Sequence, residues 1–303
     1  MLKSQDTYLE LYTKNKLKSL FLADVYNSLG YDKKYMSVKE CGTFLEFCMC
    51  VETGEVALTG ANFCRDRLCP MCAKRKSLKE FSNLSKVLDI LNKNNQYRYL
   101  FCTLTLKNCE YDELSKTLDT IKSGFTNFIK SHFFRGKNKQ FLGCFKSIEI
   151  TINTTTREFH PHIHLLIAVD KYYFSKYNLF YIDNQKLKEE WQVCLGIDYL
   201  PMCDIRSVNN IKKATCEVSK YICKSSDYLF YDDITKSSEL VSILSDSLYN
   251  RRFVAYIGIF NKAKKLIKNN DNINIDDIDK NKELNYIFSR YQWNIGFSRY
   301  EQF

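Results

Sequence analysis

A chain of 303 residues, 45% hydrophobic and 15% aromatic, has the composition of a folded protein and enough apolar material for one large core or two modest ones. Its 45 Lys and Arg against 35 Asp and Glu leave a net charge of +10, which favours an anionic partner and suits nucleic acid without demanding it. No apolar run approaches a membrane span, the N-terminus does not read as a signal peptide, and 13 cysteines, an odd number, suit metal-bound or free thiols better than a disulfide framework. These features exclude a membrane or secreted class and lead us to expect a cytoplasmic protein.

Residues 1–40 read as a polar N-terminal helical extension, with Leu17, Leu20, Phe21 and Val25 at helical spacing. Residues 41–95 read as a cysteine-rich, zinc-knuckle-like module followed by an amphipathic helix, in which Leu78, Phe81, Leu84, Val87, Leu88 and Leu91 recur at three- and four-residue steps. Cys64, Cys69 and Cys72, with one more cysteine, form a plausible tetrahedral thiolate set for a structural Zn²⁺. Cys41 is the expected fourth ligand, and Cys48 and Cys50 compete for that place. The plainer reading is four reduced, partly buried thiols. Arg65, Arg67, Lys74 and Arg75 crowd the same knuckle, where they would depress thiol pKa and attract a phosphate backbone.

Residues 96–230 alternate strands and helices. Tyr99–Leu106 is rich in β-formers, with Thr103 and Thr105 on one face; a helix follows from about Leu114 to His132. Phe141–Asn153 and the run from His160 to Val169 read as a β-hairpin with its turn at Thr154–Glu158. Side chains alternate along a strand, so His162 and His164 share a face while Ile163 points into the opposite layer. Two imidazoles on one rigid strand make half of a divalent-metal site. Hairpin pairing sets Glu149 beside one of them, and a carboxylate inside so apolar a strand is costly unless paired or bound to a metal. Surface histidines beside a solvated glutamate are the bland alternative.

Helices are expected over Tyr181–Cys194 and about Asn209–Ser226. On the second, Glu217 and Tyr221 stand four residues apart on one face, with Lys224 one turn on. A phenol is a capable nucleophile toward a polarised phosphodiester, and Lys224 or Lys220 would stabilise the developing charge. Taken alone, the segment reads as a solvated helix face, since the chain has 21 tyrosines. Residues 231–303 read as a C-terminal helical region with a polar linker at 268–283 and an aromatic tail, Tyr286–Phe303, that docks back. Mixed strands and helices with a central hairpin indicate an α+β fold, an antiparallel sheet flanked by helices.

Three ordered segments carry a resemblance: Phe101–Leu106, His160–Ile167 and Glu217–Lys224. Together they resemble the motifs of plasmid rolling-circle replication initiators of the HUH endonuclease superfamily, in its single-tyrosine branch. The segments Cys41–Phe47 and Cys64–Cys72 are similar to the N-terminal region of one branch of that family. Cys102 departs from the first motif. The resemblance spans about residues 38–230 and implies a ferredoxin-like or RRM-like palm. It implies binding to the plasmid's double-strand origin, nicking of one strand by tyrosine attack, and a 5′-phosphotyrosine that leaves a 3′-hydroxyl to prime synthesis.

Carried over, Tyr221 is the nucleophile, and His162 and His164 hold Mg²⁺ or Mn²⁺; Glu149 as third ligand comes from strand geometry. Single-stranded DNA, the host helicase and polymerase follow as partners, and Lys220 joins the basic knuckle residues as a DNA contact. Glu217 stands where two-tyrosine relatives carry a second tyrosine. As a general base it would end the reaction by hydrolysis, giving one round per initiator. Tyr228 is the rival second nucleophile. An HUH transposase and a non-catalytic zinc-knuckle repressor are the competing readings; a relaxase is disfavoured because the tyrosine follows the histidines.

Overall fold

The computed structural model describes residues 5–93, 96–135, 140–175, 181–220, 222–270 and 285–303. In chain order the elements are α1 (Gln5–Ser28), α2 (Asp32–Glu40), β1 (Phe44–Cys50), β2 (Val56–Ala61), α3 (Pro70–Asn92), β3 (Tyr97–Thr105) and β4 (Cys109–Glu110). They continue as α4 (Leu114–Phe128), β5 (Gly143–Asn153), β6 (Glu158–Asp170), α5 (Asn184–Leu195), β7 (Cys203–Ser207) and α6 (Ile211–Val218). The chain closes with α7 (Ile234–Ser247), β8 (Val254–Gly258), α8 (Ile259–Asn270), β9 (Tyr286–Asn294) and β10 (Arg299–Gln302). The expected α+β architecture of antiparallel sheets flanked by helices is what the chain adopts. No helix among the described residues is long and apolar enough to cross a membrane.

Two compact units divide the chain. One contains residues 1–75, 228–245 and 271–303; the other contains 76–227 and 246–270. In the first, the sheet order is β10-β9-β1-β2, so the aromatic tail after residue 285 is a β-hairpin paired to β1, with Cys48 across from Phe288. This differs from the helical region expected after residue 230, where β8, β9 and β10 accompany α7 and α8. Of the expected linker, Lys268–Asn270 end α8, and residues 271–284 lie outside the described residues.

The second unit is built on a sheet of order β7-β3-β6-β5-β8, with β4 paired to β6. β6 reads as an unbroken apolar run after its histidines because both of its faces are covered. On one face, α3 (Leu84, Val87, Leu88), α6 (Val218) and α8 (Phe260, Ala263) close over Phe101, Phe145 and Leu166. On the other, Phe125 of α4 lies under the ammonium of Lys146, 4.6 Å from ring centroid to Nζ. α5 starts later than expected because Asp183 caps it, accepting from the Lys186 N–H at 2.8 Å; Gly196, at φ 66°, ends it.

Candidate metal centres

The alternation of β6 sets His162 and His164 on the face that further along carries Leu166 and Ala168. Register fixes the rest. Glu149 of β5 lies directly across from His162, Ser147 across from His164, and Thr103 and Thr105 of β3 stand opposite His164 and His162 on the other side. Directly opposed residues of antiparallel strands point to the same face, so these six side chains form one polar island on an apolar sheet.

Within it, the Glu149 Oε2 lies 3.2 Å from His164 Nε2 and 3.7 Å from His162 Nε2. All three residues are buried, at 7% exposure for Glu149 and 8% for each histidine. Burial alone would raise the Glu149 carboxyl, but hydrogen bonds from both imidazoles outweigh it and hold the group well below the usual carboxylate range. The far nitrogens are engaged as well. His162 Nδ1 donates to the His160 carbonyl at 3.0 Å, and His164 Nδ1 lies 3.2 Å from Thr103 Oγ1. The Nδ1 contact to the backbone carbonyl fixes the His162 ring with Nε2 as the atom facing Glu149, the orientation expected of a metal ligand. The ligand atoms of Glu149, His162 and His164 all lie within 4.8 Å of one another, a donor set that fits an oxygen- and nitrogen-binding divalent cation. Cys102, the departure in the first motif, is fully buried and pairs with Leu165 in the alternate register, on the opposite layer from the histidines.

The segment expected to present the tyrosine folds differently from the sequence reading. Helix α6 is capped by Asn210 and ends at Val218, so Glu217 sits in its last turn and Lys224 lies beyond it. The reason is tertiary: the Ile222 carbonyl is drawn onto strand β5, accepting from the Ile150 N–H at 2.7 Å, and a continuing helix would need that carbonyl for itself. Glu217 and Lys220 form an ion pair at the exposed end of this turn. Tyr221 lies outside the described residues. Tyr228 is 1% exposed and donates its hydroxyl to the Leu68 carbonyl in the cysteine-bearing unit.

In that unit the loop and first turn around Cys64–Cys72 meet Cys41, which ends α2. Sulfur–sulfur distances are 3.6 Å for Cys41–Cys72, Cys64–Cys72 and Cys41–Cys69. A tetrahedral zinc with Zn–S bonds near 2.3 Å needs sulfurs roughly 3.8 Å apart, so the four thiols fit such an ion. Backbone N–H groups of Arg65 and Asp66 donate to the Cys72 and Cys64 sulfurs at 3.1 and 3.4 Å. Contacts from Cys41, Cys64 and Cys72 hold Cys69 far below the ordinary thiol range, and contact with Cys41 pushes Cys64 far above it. Cys48 and Cys50, the competing candidates, are carried away on β1.

Sequence reasoning missed two neighbours of this cluster. Lys16 is fully buried and donates to the Lys39 and Cys41 carbonyls at 2.6 and 2.9 Å; burial lowers its ammonium while the Cys41 thiol pulls it back up. Ser19 lies 3.4 Å from Cys69 Sγ. The helical spacing of Leu17, Leu20, Phe21 and Val25 marks a different stripe of α1, and Leu17 is exposed, so nothing local pointed to either position. Of the expected DNA contacts, Arg65 and Lys220 are exposed, whereas Arg67, Lys74 and Arg75 are half-buried, Arg75 over the Phe63 ring.

Residues 55–301 match the family model Rep_1, described as a replication protein. "Protein rep" of Streptococcus pneumoniae is 35% identical over 257 residues, covering 82% of this chain and 77% of that protein. "Protein rep" of a Bacillus species is 32% identical over 254 residues, 78% and 81% of the two chains, and that of Staphylococcus aureus 31% over 234 residues, 77% and 98%. No solved structure matches. With a family model spanning most of its length and relatives above 30% identity, the chain belongs to the Rep replication proteins, the plasmid rolling-circle replication initiators.

Proposed function

We propose that this protein starts plasmid replication by nicking one strand of the double-strand origin, with Tyr221 as nucleophile and a divalent cation held by His162, His164 and Glu149. The observation that carries the reading is the buried His–His–Glu donor set on one sheet face, in a chain of the Rep family. A second supports it: Ile222, next in sequence to Tyr221, has its carbonyl fastened to Ile150, one residue from Glu149.

When bound, Mg²⁺ or Mn²⁺ supplies Lewis acidity toward a non-bridging phosphate oxygen. The Tyr221 oxygen attacks phosphorus, the bond from phosphorus to the 3′-oxygen breaks, and the phenolic proton ends on the departing 3′-hydroxyl. The 5′-phosphate stays on the tyrosine. Lys220 and Lys224 offset the charge that builds on the phosphoryl group. At termination Glu217 takes a proton from the water that hydrolyses the last linkage. Cys41, Cys64, Cys69 and Cys72 hold Zn²⁺ in a structural role, with Arg65, Arg67, Lys74 and Arg75 beside the knuckle as phosphate contacts. Origin DNA and the exposed single strand are the substrates, and host helicase and polymerase extend the 3′-end.

Incubating the full-length chain with supercoiled plasmid carrying the cognate origin and Mn²⁺ tests this. Nicked circles with protein attached, lost in Tyr221→Phe, are the expected result. Retarded but intact supercoils with wild-type protein would instead mark a non-catalytic repressor.

A further inference from the structure

A cleft of about 600 Å³ opens beside β8, the edge strand of the six-stranded sheet. Its walls carry Lys76 from α3, Arg251 and Arg252 from the approach to β8, and Lys264 and Lys265 from α8, against one carboxylate, Glu80. Two of these charges are spoken for within the fold. Arg251 grips Asp119 and the Ser115 carbonyl, and Glu80 accepts from the Tyr256 hydroxyl at 3.1 Å. The Lys264 ammonium lies over the Tyr256 ring, 3.7 Å from its centroid. Arg252 and Lys265 are exposed on the cleft. The lining is therefore strongly cationic, and its aromatic floor is already covered, which suits phosphates better than stacked bases.

Register ties this cleft to the histidines. Val254 of β8 lies across from Ser147, and Ser147 lies across from His164, so all three point to one face and two strand spacings, roughly 10 Å, separate the first from the last. The same register runs on past the strand, because the Ile148 N–H donates to the Phe253 carbonyl at 3.1 Å. It ends there, because the next β5 N–H in that pattern, from Ile150, donates to the Ile222 carbonyl instead. A basic cleft thus begins one strand away from the proposed metal ligands.

We infer that this cleft is a phosphate track for the single DNA strand flanking the scissile phosphate, with Arg252 and Lys265 as two of its phosphate contacts. A single strand is the fitting ligand, because the donor set is recessed in the sheet face and a paired duplex backbone cannot follow it there. The inference rests on the nicking reading for its place in the reaction, and on the cleft alone for its binding.

The test is fluorescence anisotropy of full-length protein with a labelled oligo(dT) of roughly 20 nucleotides across a salt series. Losing two phosphate contacts at roughly 0.7 each should flatten the slope of log affinity against log salt by roughly 1.4 in R252E/K265E, and weaken binding roughly tenfold at about 0.15 M salt. K130E/K186E makes the same charge change on exposed sites just beyond α4 and on α5, neither of which lines the cleft, and should leave the slope near wild type. An unchanged slope in R252E/K265E, or an equal drop in both pairs, overturns the track. Equal competition by poly-glutamate at matched charge also overturns it, in favour of an acidic peptide. If R252E/K265E fails to melt cooperatively, R252Q/K265Q decides, with the same direction expected. Should wild-type protein bind oligo(dT) through these residues yet never nick supercoiled origin plasmid, the track stands and the nicking reading falls.

Discussion

Glu149→Gln separates the charge of the proposed cation site from its shape. Glutamine is nearly isosteric and still offers a carbonyl oxygen to the imidazoles that lie 3.2 and 3.7 Å from the present carboxylate, so the polar island stays filled. What disappears is the one anionic donor of a three-residue set buried at 7–8% exposure. Removing an outer-shell partner of a metal ligand typically costs 10–100-fold in affinity, and a direct anionic ligand should exceed the upper end of that range. We therefore expect Mn²⁺ affinity to fall by at least roughly 100-fold, about 2.7 kcal/mol. Electron paramagnetic resonance titration of free Mn²⁺ reads this directly, with His162→Ala as a parallel loss and thermal melting in EDTA as the check on folding. A dissociation constant within about threefold of wild type in a folded variant would remove Glu149 from the ligand set.

Purified protein should carry one zinc per chain by atomic absorption; Cys69→Ala should lose it and lower the melting transition, since site binding energy is folding energy in such modules. Gly258→Ala should cost about 2–3 kcal/mol, because φ is 60° there and an added Cβ would sit 2.3 Å from the Leu142 carbonyl oxygen. Differential scanning calorimetry should then show a fall of roughly 5–10 °C in the transition of the unit built on the β7-β3-β6-β5-β8 sheet. Glu217→Ala should nick supercoiled origin plasmid at close to the wild-type rate but accumulate unreleased protein–DNA adduct on denaturing gels. Clean release by that variant would end its role at termination.

The hairpin and its donor set were legible because strand alternation is a local rule: once His162 and His164 share a face, pairing with β5 leaves Glu149 few other places to go. The cysteine pattern was legible as a set, but spacing alone had no means of choosing Cys41 over Cys48 and Cys50. The choice is made by β1, which takes the latter two into a sheet completed by β9, more than two hundred residues later in the chain. The helix over 209–226 was misread for the same kind of reason. Its composition favours helix throughout, yet strand β5 claims the Ile222 carbonyl. Lys16 and the cleft at Arg252 depend on partners distant in sequence, and no window of residues reveals them.

β9 lies between β10 and β1, so a central strand of the smaller sheet comes from residues more than two hundred positions downstream of its neighbour β1. Such pairing must close a long loop, which makes it a slow step in folding. The cysteine-bearing unit therefore waits on β9 for the centre of its sheet, while every strand of the histidine-bearing sheet, complete by β8, precedes it in the chain. On that ordering the histidine face would take shape first and the thiol cluster's unit would settle second.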